Sequence, residues 1–578
     1  MKNKLYEGRE LKDFRELVSL YKNEYKDLTA FEFKKNIKDT EYVKVKYSEF
    51  AKNIENLGAN LMKMNVKRVC IVSSNRYEWY VSYLAITTAG FVVVPLDKAL
   101  TDYELEDSIV RSKADAVIYS DKYKNAVENA KKRVEDKTNK EKDAPEELKP
   151  ICMDTENFKN MMKNTMNTDT KPYKNVKIDN KKMSIMLFTS GTTSASKAVM
   201  ISQYAICEDL YALSQMIDIK TSDVFLSFLP LHHTFESTTT FLFGTSCGLT
   251  IAVCDGLKYV TKNLAEYNVT GFVAVPLVVE VMYKKIMKTI EEQHKTKTVN
   301  FMRKLFRHAP INVKRKVFKQ IINAVGGSLK TLIIGGAPID KEALQAFNDF
   351  GFDVHQGYGL TETSPVIAGE NSFYKRTGSV GFPLPGIEIK TIDADENGIG
   401  ELIVKTPTIM NGYYENKEET DEVLKDGWFY TGDLGYVDKD GFVFITGRKK
   451  DMIVLKNGKK VFPEEIETLI SKIPYVSESM IFGLEESNSA KKDRDEDIVI
   501  YAKIVYNKDE ITKAFPNAKK EDYKELIFGD IKKNVNDILP IYKHIKKIIV
   551  TEKPLIKTTT QKTKRREEMK IIKEELEK

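Results

Sequence analysis

Residues 189–197, TSGTTSASK, put five hydroxyl side chains ahead of Ser196, one glycine and one ammonium into a stretch with no large apolar side chain. Thr189, Ser190, Gly191, Thr192 and Thr193 can bring hydroxyls and backbone N–H groups close to a polyanion, and Lys197 adds a positive charge. The chemistry suggested is a cradle for triphosphate or pyrophosphate; an ordinary polar loop has the same composition. A Walker loop is disfavoured. Its second glycine is replaced by Ser196, and the hydroxyl that should follow Lys197 is replaced by Ala198.

Other groups capable of chemistry follow downstream. Residues 229–236, LPLHHTFE, hold the adjacent His232 and His233, a pair poorly placed to share one metal ion. Gly335, Gly336, Ala337 and Pro338 follow the short apolar run 332–334, where small residues at a strand end let a flat base lie on the backbone. Gln356, Gly357, Tyr358, Gly359, Leu360, Thr361 and Glu362 offer an aromatic face, a hydroxyl and a hard carboxylate suited to Mg²⁺. Asp433 ends WFYTGD. GRKKD at 447–451 reads alone as a solvated turn, and KTTTQKTKR at 557–565 sits in a lysine-rich tail.

These groups need elements to hold them. Ser184–Phe188 reads as a buried strand ahead of the loop. Phe50, Ile54, Leu57 and Leu61 fall at helical spacing within residues 47–64. Strands are expected at Val69–Val72, Phe91–Pro95 and Ala116–Tyr119, with a helix at Glu78–Ala89, so strands alternate with helices and predict a parallel sheet. Residues 122–182 are charged and read as a surface helix or loose excursion. Residues 284–325 are basic and helical. They read first as a solvated insertion, with a membrane-surface patch as the alternative. A second α/β region spans residues 331–379, and glycine turns with short strands follow Pro385. A helix at Pro463–Ile470, a strand at Ile498–Val505, a helix at Asp522–Asn536 and a strand at Lys546–Val550 then form an α+β unit. Met569, Ile572 and Leu576 predict a terminal helix docked by one face. The fold class expected is α/β. A large N-terminal domain (1–448), built of α/β subdomains and a small β-rich subdomain, precedes a smaller, mobile α+β domain (449–578).

At 578 residues the chain exceeds one core, and 42% hydrophobic with 30% charged residues is a globular composition. The net charge of +7 is spread over 91 basic and 84 acidic residues, and no nucleic-acid-binding pattern accompanies it. Five scattered cysteines without a C-x-x-C pair suggest a reducing compartment. The N-terminus lacks the apolar core of a signal peptide, and the longest apolar stretch is too short to span a bilayer. A cytoplasmic location is expected, with peripheral membrane contact left open.

The loop at 189–197 resembles the phosphate loop of the adenylate-forming superfamily of acyl-CoA synthetases, luciferases and adenylation domains. That family's pattern is [YF]-T-S-G-[ST]-T-G-x-P-K-G-[VA]; here Ser194, Ser196 and Ala198 replace its Gly, Pro and Gly. The other groups follow in the family's order over residues 47 to 566. The resemblance assigns His233 to the acyl-carboxylate pocket and sets Glu236 beside the long-chain variant. It also places Gly336, Ala337, Pro338, Gln356, Gly357, Tyr358 and Gly359 around adenine, Thr361 near the α-phosphate, and Glu362 and Thr189 near Mg²⁺. Asp433 would hold the ribose hydroxyls and Arg448 ribose or phosphate. Lys450 would be the hinge between domains, Asn457 and Gly458 would lie on the loop for the CoA thiol, and Lys562 would catalyse adenylation. Ile556 and Gln561 replace the family's Pro and Gly around that lysine.

The resemblance thus implies an ATP-, Mg²⁺- and CoA-dependent long-chain fatty acid:CoA ligase that makes acyl-AMP and pyrophosphate first and the thioester second. Two alternatives are carried. One transfers the acyl group to an acyl carrier protein. The other is a degraded relative that only binds nucleotide or acyl ligand.

Overall fold

The computed structural model describes residues 5–136, 145–189, 197–455, 459–487, 496–558 and 562–576. The apolar positions predicted at helical spacing do form one face. In the Tyr47–Lys63 helix, Phe50, Ile54, Leu57 and Leu61 are all fully buried. Arg68–Val72, Val92–Pro95 and Ala116–Tyr119 are parallel neighbours, covered on both faces and therefore apolar along their length.

They belong to a seven-stranded sheet whose other side carries Met183–Thr189, then Lys197–Ser202 antiparallel to it, then Gly412–Tyr413. A nine-stranded sheet is mainly parallel at its centre, where Val224–Ser227, Gly271–Ala274, Thr331–Ile334 and Asp353–Gly359 lie side by side. One continuous apolar core joins both sheets and reaches Val443 in a third, antiparallel sheet of five strands. That third sheet is the expected β-rich region. Within it, Trp428–Val437 pairs with Val443–Arg448, so that Asp433 and Arg448 are cross-strand neighbours.

A separate core begins at Val461 and runs to Ile548. It packs Pro463–Ile470 and Tyr523–Asn534 on a three-stranded sheet of Val476–Ser487, Glu496–Tyr506 and Lys547–Thr551. The smaller C-terminal domain is α+β, as expected.

Two details differ from expectation. The charged stretch 122–182 contains Lys149–Cys152, an edge strand parallel to Ala116–Tyr119, and a helix, Glu156–Lys163, whose Phe158, Met161 and Met162 are buried. Most of its described apolar residues are buried, Met166 excepted, and the charges between them mask the pattern. The terminal helix, Arg565–Leu576, docks through Glu568, Met569 and Ile572, whereas Leu576 is half exposed. A buried ion pair takes the place of the third apolar contact, as described below.

Candidate active site

The C-terminal ends of strands from both large sheets open onto a cleft of 2410 Å³, which the third sheet and the C-terminal domain enclose from the other side. Thr189 stands at the end of its strand and pairs with Lys197 across the loop between them, its hydroxyl 3.4 Å from the Lys197 carbonyl. Ser190, Gly191, Thr192 and Thr193 lie outside the described residues, as do Asn457 and Gly458. The Lys197 ammonium is 3.2 Å from Glu419 and 4.7 Å from the centre of the Tyr413 ring.

Gly336, Ala337 and Pro338 form one edge of the cleft. Gly335 before them is required by packing, because a Cβ there would lie 2.9 Å from the Phe235 ring. Gln356, Gly357, Tyr358 and Gly359 line the next strand end. Gln356 donates through Nε2 to the Ser379 carbonyl at 3.0 Å. Gly359 has no alternative, since a Cβ would sit 1.8 Å from the Pro365 carbonyl oxygen. Thr361 and Glu362 occupy the short 3₁₀ turn that follows.

The strongest cluster is polar. Asp433 is buried, accepts from the Tyr358 hydroxyl at 2.7 Å and forms an ion pair with Arg448, whose Nε lies 2.9 Å from its other oxygen. Tyr358 therefore touches Asp433 with its hydroxyl, and its side chain lines the cleft. Burial, then Asp433, raises its pKa far above the ordinary phenol value. Glu362 accepts from the Tyr413 hydroxyl at 3.0 Å. Among the described residues no group of three or more His, Cys, Asp or Glu side chains gathers as a metal cage. A single carboxylate steadied by a phenol suits Mg²⁺, which keeps most of its waters and takes further oxygens from phosphate.

His233 lines the opposite part of the cleft, its ring 4.3 Å from that of His232. Burial, then the neighbouring His232, lowers its pKa well below the ordinary value, so the imidazole is neutral. His232 itself is buried, with Nε2 3.4 Å from Asp97. Glu236 does not reach the cleft. It is fully buried in a π-helical segment, Phe235–Phe243, and accepts from the Ser227 and Thr240 hydroxyls. Burial pushes its pKa up to about 8.

Lys562 comes from the other domain and lines the same cleft. Its side chain is exposed within the cleft, with protein around it. That enclosure, then Arg448, lowers its pKa, while Asp433 and Glu362 oppose the shift. Lys450, at the domain junction, is also lowered by enclosure and then by Arg448. The Lys562 loop closes on itself through Thr558 N–H to the Lys562 carbonyl and Lys564 N–H to the Ile556 carbonyl, each 2.8 Å.

The departure at Ile556 has a structural role. Its N–H, which proline lacks, donates to Glu568 Oε1 at 2.6 Å, and Lys503 Nζ is 3.1 Å from Oε2 of the same carboxylate. Both side chains are almost fully buried. One residue earlier, Leu555 N–H donates to Glu478 at 2.8 Å. Sequence reasoning missed Glu568, Lys503, Tyr413 and Glu419. Their partners are far away in the chain, and only the Ile556 departure carried any signal of them.

Comparisons with known proteins agree with this geometry. The profile of the AMP-binding enzyme family matches residues 21–414, and that of the AMP-binding enzyme C-terminal domain matches residues 450–491. The long-chain-fatty-acid–[acyl-carrier-protein] ligase AEE15 of Arabidopsis thaliana is 28% identical over 63% of this chain and 56% of its own. Long chain acyl-CoA synthetase 6 of the same plant is 32% identical over 51% of this chain and 45% of its own. The chain thus spans about half the length of these two relatives. The long-chain-fatty-acid–CoA ligase FadD15 of Mycobacterium bovis is 26% identical over 77% of this chain and 76% of its own. Among solved structures, an ATP-bound RpMatB–BxBclM chimera superposes with a TM-score of 0.74 at 22% identity, covering 96% of this chain and 98% of that one. The o-succinylbenzoate CoA synthetase MenE of Bacillus subtilis, solved with ATP and magnesium, gives 0.69 at 21%, covering 95% and 98%. By its sequence profile over more than half its length, the chain belongs to the AMP-binding enzyme family.

Proposed function

We propose that the protein activates a fatty acid with ATP and passes the acyl group to CoA. One observation carries this reading. A single cleft gathers Asp433 with Arg448 and Tyr358, the carboxylate of Glu362, and the ammonium of Lys562 from the second domain. In the first half-reaction a fatty-acid carboxylate oxygen attacks the α-phosphorus, the bond to the β-phosphate oxygen breaks, and pyrophosphate leaves. Asp433 keeps lone pairs for the ribose hydroxyls beside the two donors it already has. Lys562 and Arg448 balance the charge that gathers on the α-phosphoryl oxygens, and positioning and electrostatics of this kind dominate such transfers. Neutral His233 can donate to the acyl carboxylate without trapping it as an ion pair. Glu362, oriented by Tyr413, would hold Mg²⁺, which supplies charge neutralisation on the departing phosphates. Thr361 and the Thr189–Lys197 loop would border those phosphates.

In the second half-reaction the C-terminal domain turns about Lys450, withdrawing Lys562, and the CoA sulfur attacks the acyl carbonyl as AMP leaves. An apolar part of the cleft supports a long chain. Leu213, Met216 and Ile217 from one helix face Phe235, Thr239 and Phe243 from the π-helical segment packed against it. The volume of 2410 Å³ exceeds the roughly 300–1,000 Å³ of ordinary small-molecule sites, as a nucleotide, an acyl chain and a thiol arm require.

The test is pyrophosphate release with ATP and Mg²⁺ across carboxylic acids from acetate to oleate plus aromatic acids, with and without CoA. Release that peaks at long chains and turns over only with CoA is expected. Turnover that requires a carrier protein instead would favour the second reading, which the resemblance to AEE15 supports. No release with any acid would leave a ligand-binding protein.

A further inference from the structure

We propose that the helical insertion between Gly271–Ala274 and Thr331–Ile334 is a docking surface for an anionic lipid bilayer. Residues 284–319 carry twelve lysines and arginines against two carboxylates, Glu291 and Glu292. That is a net +10, whereas the whole chain has +7, so everything outside the insertion sums to −3. The excess charge of the protein is local.

The arginines do structural work. Arg303 is buried against Asp349 at 3.3 Å and reaches Glu342 at 2.8 Å, and Arg307 also meets Asp349. They bolt the Thr296–Phe306 helix onto Lys341–Phe350. The lysines point the other way. Lys284, Lys285, Lys288, Lys297, Lys304 and Lys316 are exposed and make no ion pair among the described residues.

The Thr296–Phe306 helix packs Val299 and Met302 against the core but leaves a second apolar pair in water. Its arginine is inside, whereas Phe301 and Leu305, four residues apart on one face, are 62% and 61% exposed. At 100° per residue, Lys297 and Lys304 fall about 40° and 60° from Phe301, both on the side away from Leu305. A soluble helix buries its aromatic and leucine and exposes its arginine. An apolar pair flanked by lysines with long flexible stems fits the boundary between headgroups and acyl chains.

The neighbouring helix, Pro276–Glu292, continues this surface. Leu277 and Val281 are exposed on the same side as Lys284 and Lys288, and Leu277 also lines the cleft. The surface therefore begins at the cleft. A membrane-dissolved acid would be met there, a consequence that rests on the proposed substrate class. Docking itself does not depend on it.

The experiment is sedimentation of the full chain with phosphatidylcholine vesicles, with and without phosphatidylserine. Expected is binding to the anionic vesicles only, weakening as salt rises. The F301E/L305E variant, at two positions that do not line the cleft, should lose binding about tenfold or more while pyrophosphate release with a short soluble acid stays at the wild-type rate. The K297E/K304E variant, which spares the apolar pair, should lose a comparable amount. Absence of binding by the wild type, binding indifferent to lipid charge, or binding kept by both variants would overturn the proposal. So would salt-sensitive binding to an acidic carrier protein with none to vesicles, which would make the surface a protein interface. A chain that binds vesicles but releases no pyrophosphate with any acid would uphold docking and remove the ligase reading.

Discussion

The two sides of the cleft are held by opposite means. On the N-terminal side the functional groups hold one another: Tyr358 and Arg448 both bond Asp433, and Tyr413 bonds Glu362. On the C-terminal side, Lys562 is held from behind, through a loop whose anchors, Glu568, Lys503 and Glu478, face away from the cleft. The first arrangement is preorganised and fails as a unit if one member is removed. The second would let Lys562 be withdrawn with its loop intact if the domains moved apart, because its anchors all belong to the C-terminal domain.

The largest effect tests the removable side. Lys562→Ala should slow acyl-AMP formation by about 10²- to 10³-fold, the usual cost of deleting one preorganised charge. Thioester formation from supplied acyl-AMP should be spared; equal loss of both half-reactions would contradict withdrawal of the lysine between steps. The pH profile sharpens this. Only the ammonium form of Lys562 stabilises negative charge, and its pKa is lowered. Adenylation should therefore fall as pH rises, with an apparent pKa below that of ordinary lysine, and the second step should not follow it.

The fixed side comes next. Asp433→Ala leaves Arg448 without its carboxylate and Tyr358 without its acceptor. Adenylation should drop by about 10²-fold with a raised KM for ATP, since the lost contacts serve nucleotide in every state. The anchors rank third. Glu568→Ala leaves the buried Lys503 ammonium with only the exposed Glu575, 3.6 Å away, which should cost up to about 3 kcal/mol of stability in denaturant titration, and frees the Ile556 N–H. The apolar pair Lys503→Met/Glu568→Leu should recover most of that stability. Adenylation should remain about tenfold low, because the loop is still untethered. If the double variant restores adenylation as well, Glu568 is a packing element and not a positioning one.

The same contrast explains what could be read in the sequence. The wall was legible because its residues sit in short contiguous runs, so QGYGLTE, WFYTGD and GRKKD each carry their groups together. What joins the runs was not legible. Tyr358 and Asp433 meet only once the third sheet folds against the second, and Glu362 meets Tyr413 only because Gly412–Tyr413 pairs with Lys197–Ser202. The anchors of the lysine loop left a trace in one place, an isoleucine where the family has proline, and its meaning needed Glu568 in view. The helical insertion was legible as basic and helical. Its exposed Phe301 and Leu305 were not, since spacing alone cannot say which face turns outward.

The smallest effect on activity belongs to Glu236, just behind the wall. It is ringed by the Ser227 and Thr240 hydroxyls and the Phe228 backbone, with Tyr80 bonded to Ser227 and Lys98 exerting the nearest positive field. Burial raises its pKa from 4.5 to about 8, so at neutral pH the folded chain holds a proton that the unfolded chain has released. Stability must then fall as pH rises from 4.5 towards 8, and level off above it as far as this group is concerned. Glu236→Gln keeps the shape and the hydrogen-bonding capacity but has no proton to lose. Pyrophosphate release should be near wild type, because residue 236 does not line the cleft. The urea midpoint of the variant, compared with that of the wild type, should gain steadily between about pH 5 and pH 8. A difference that stays constant over that range would mean that Glu236 is ionised throughout. Its neighbours would then have to supply enough positive field to overcome burial.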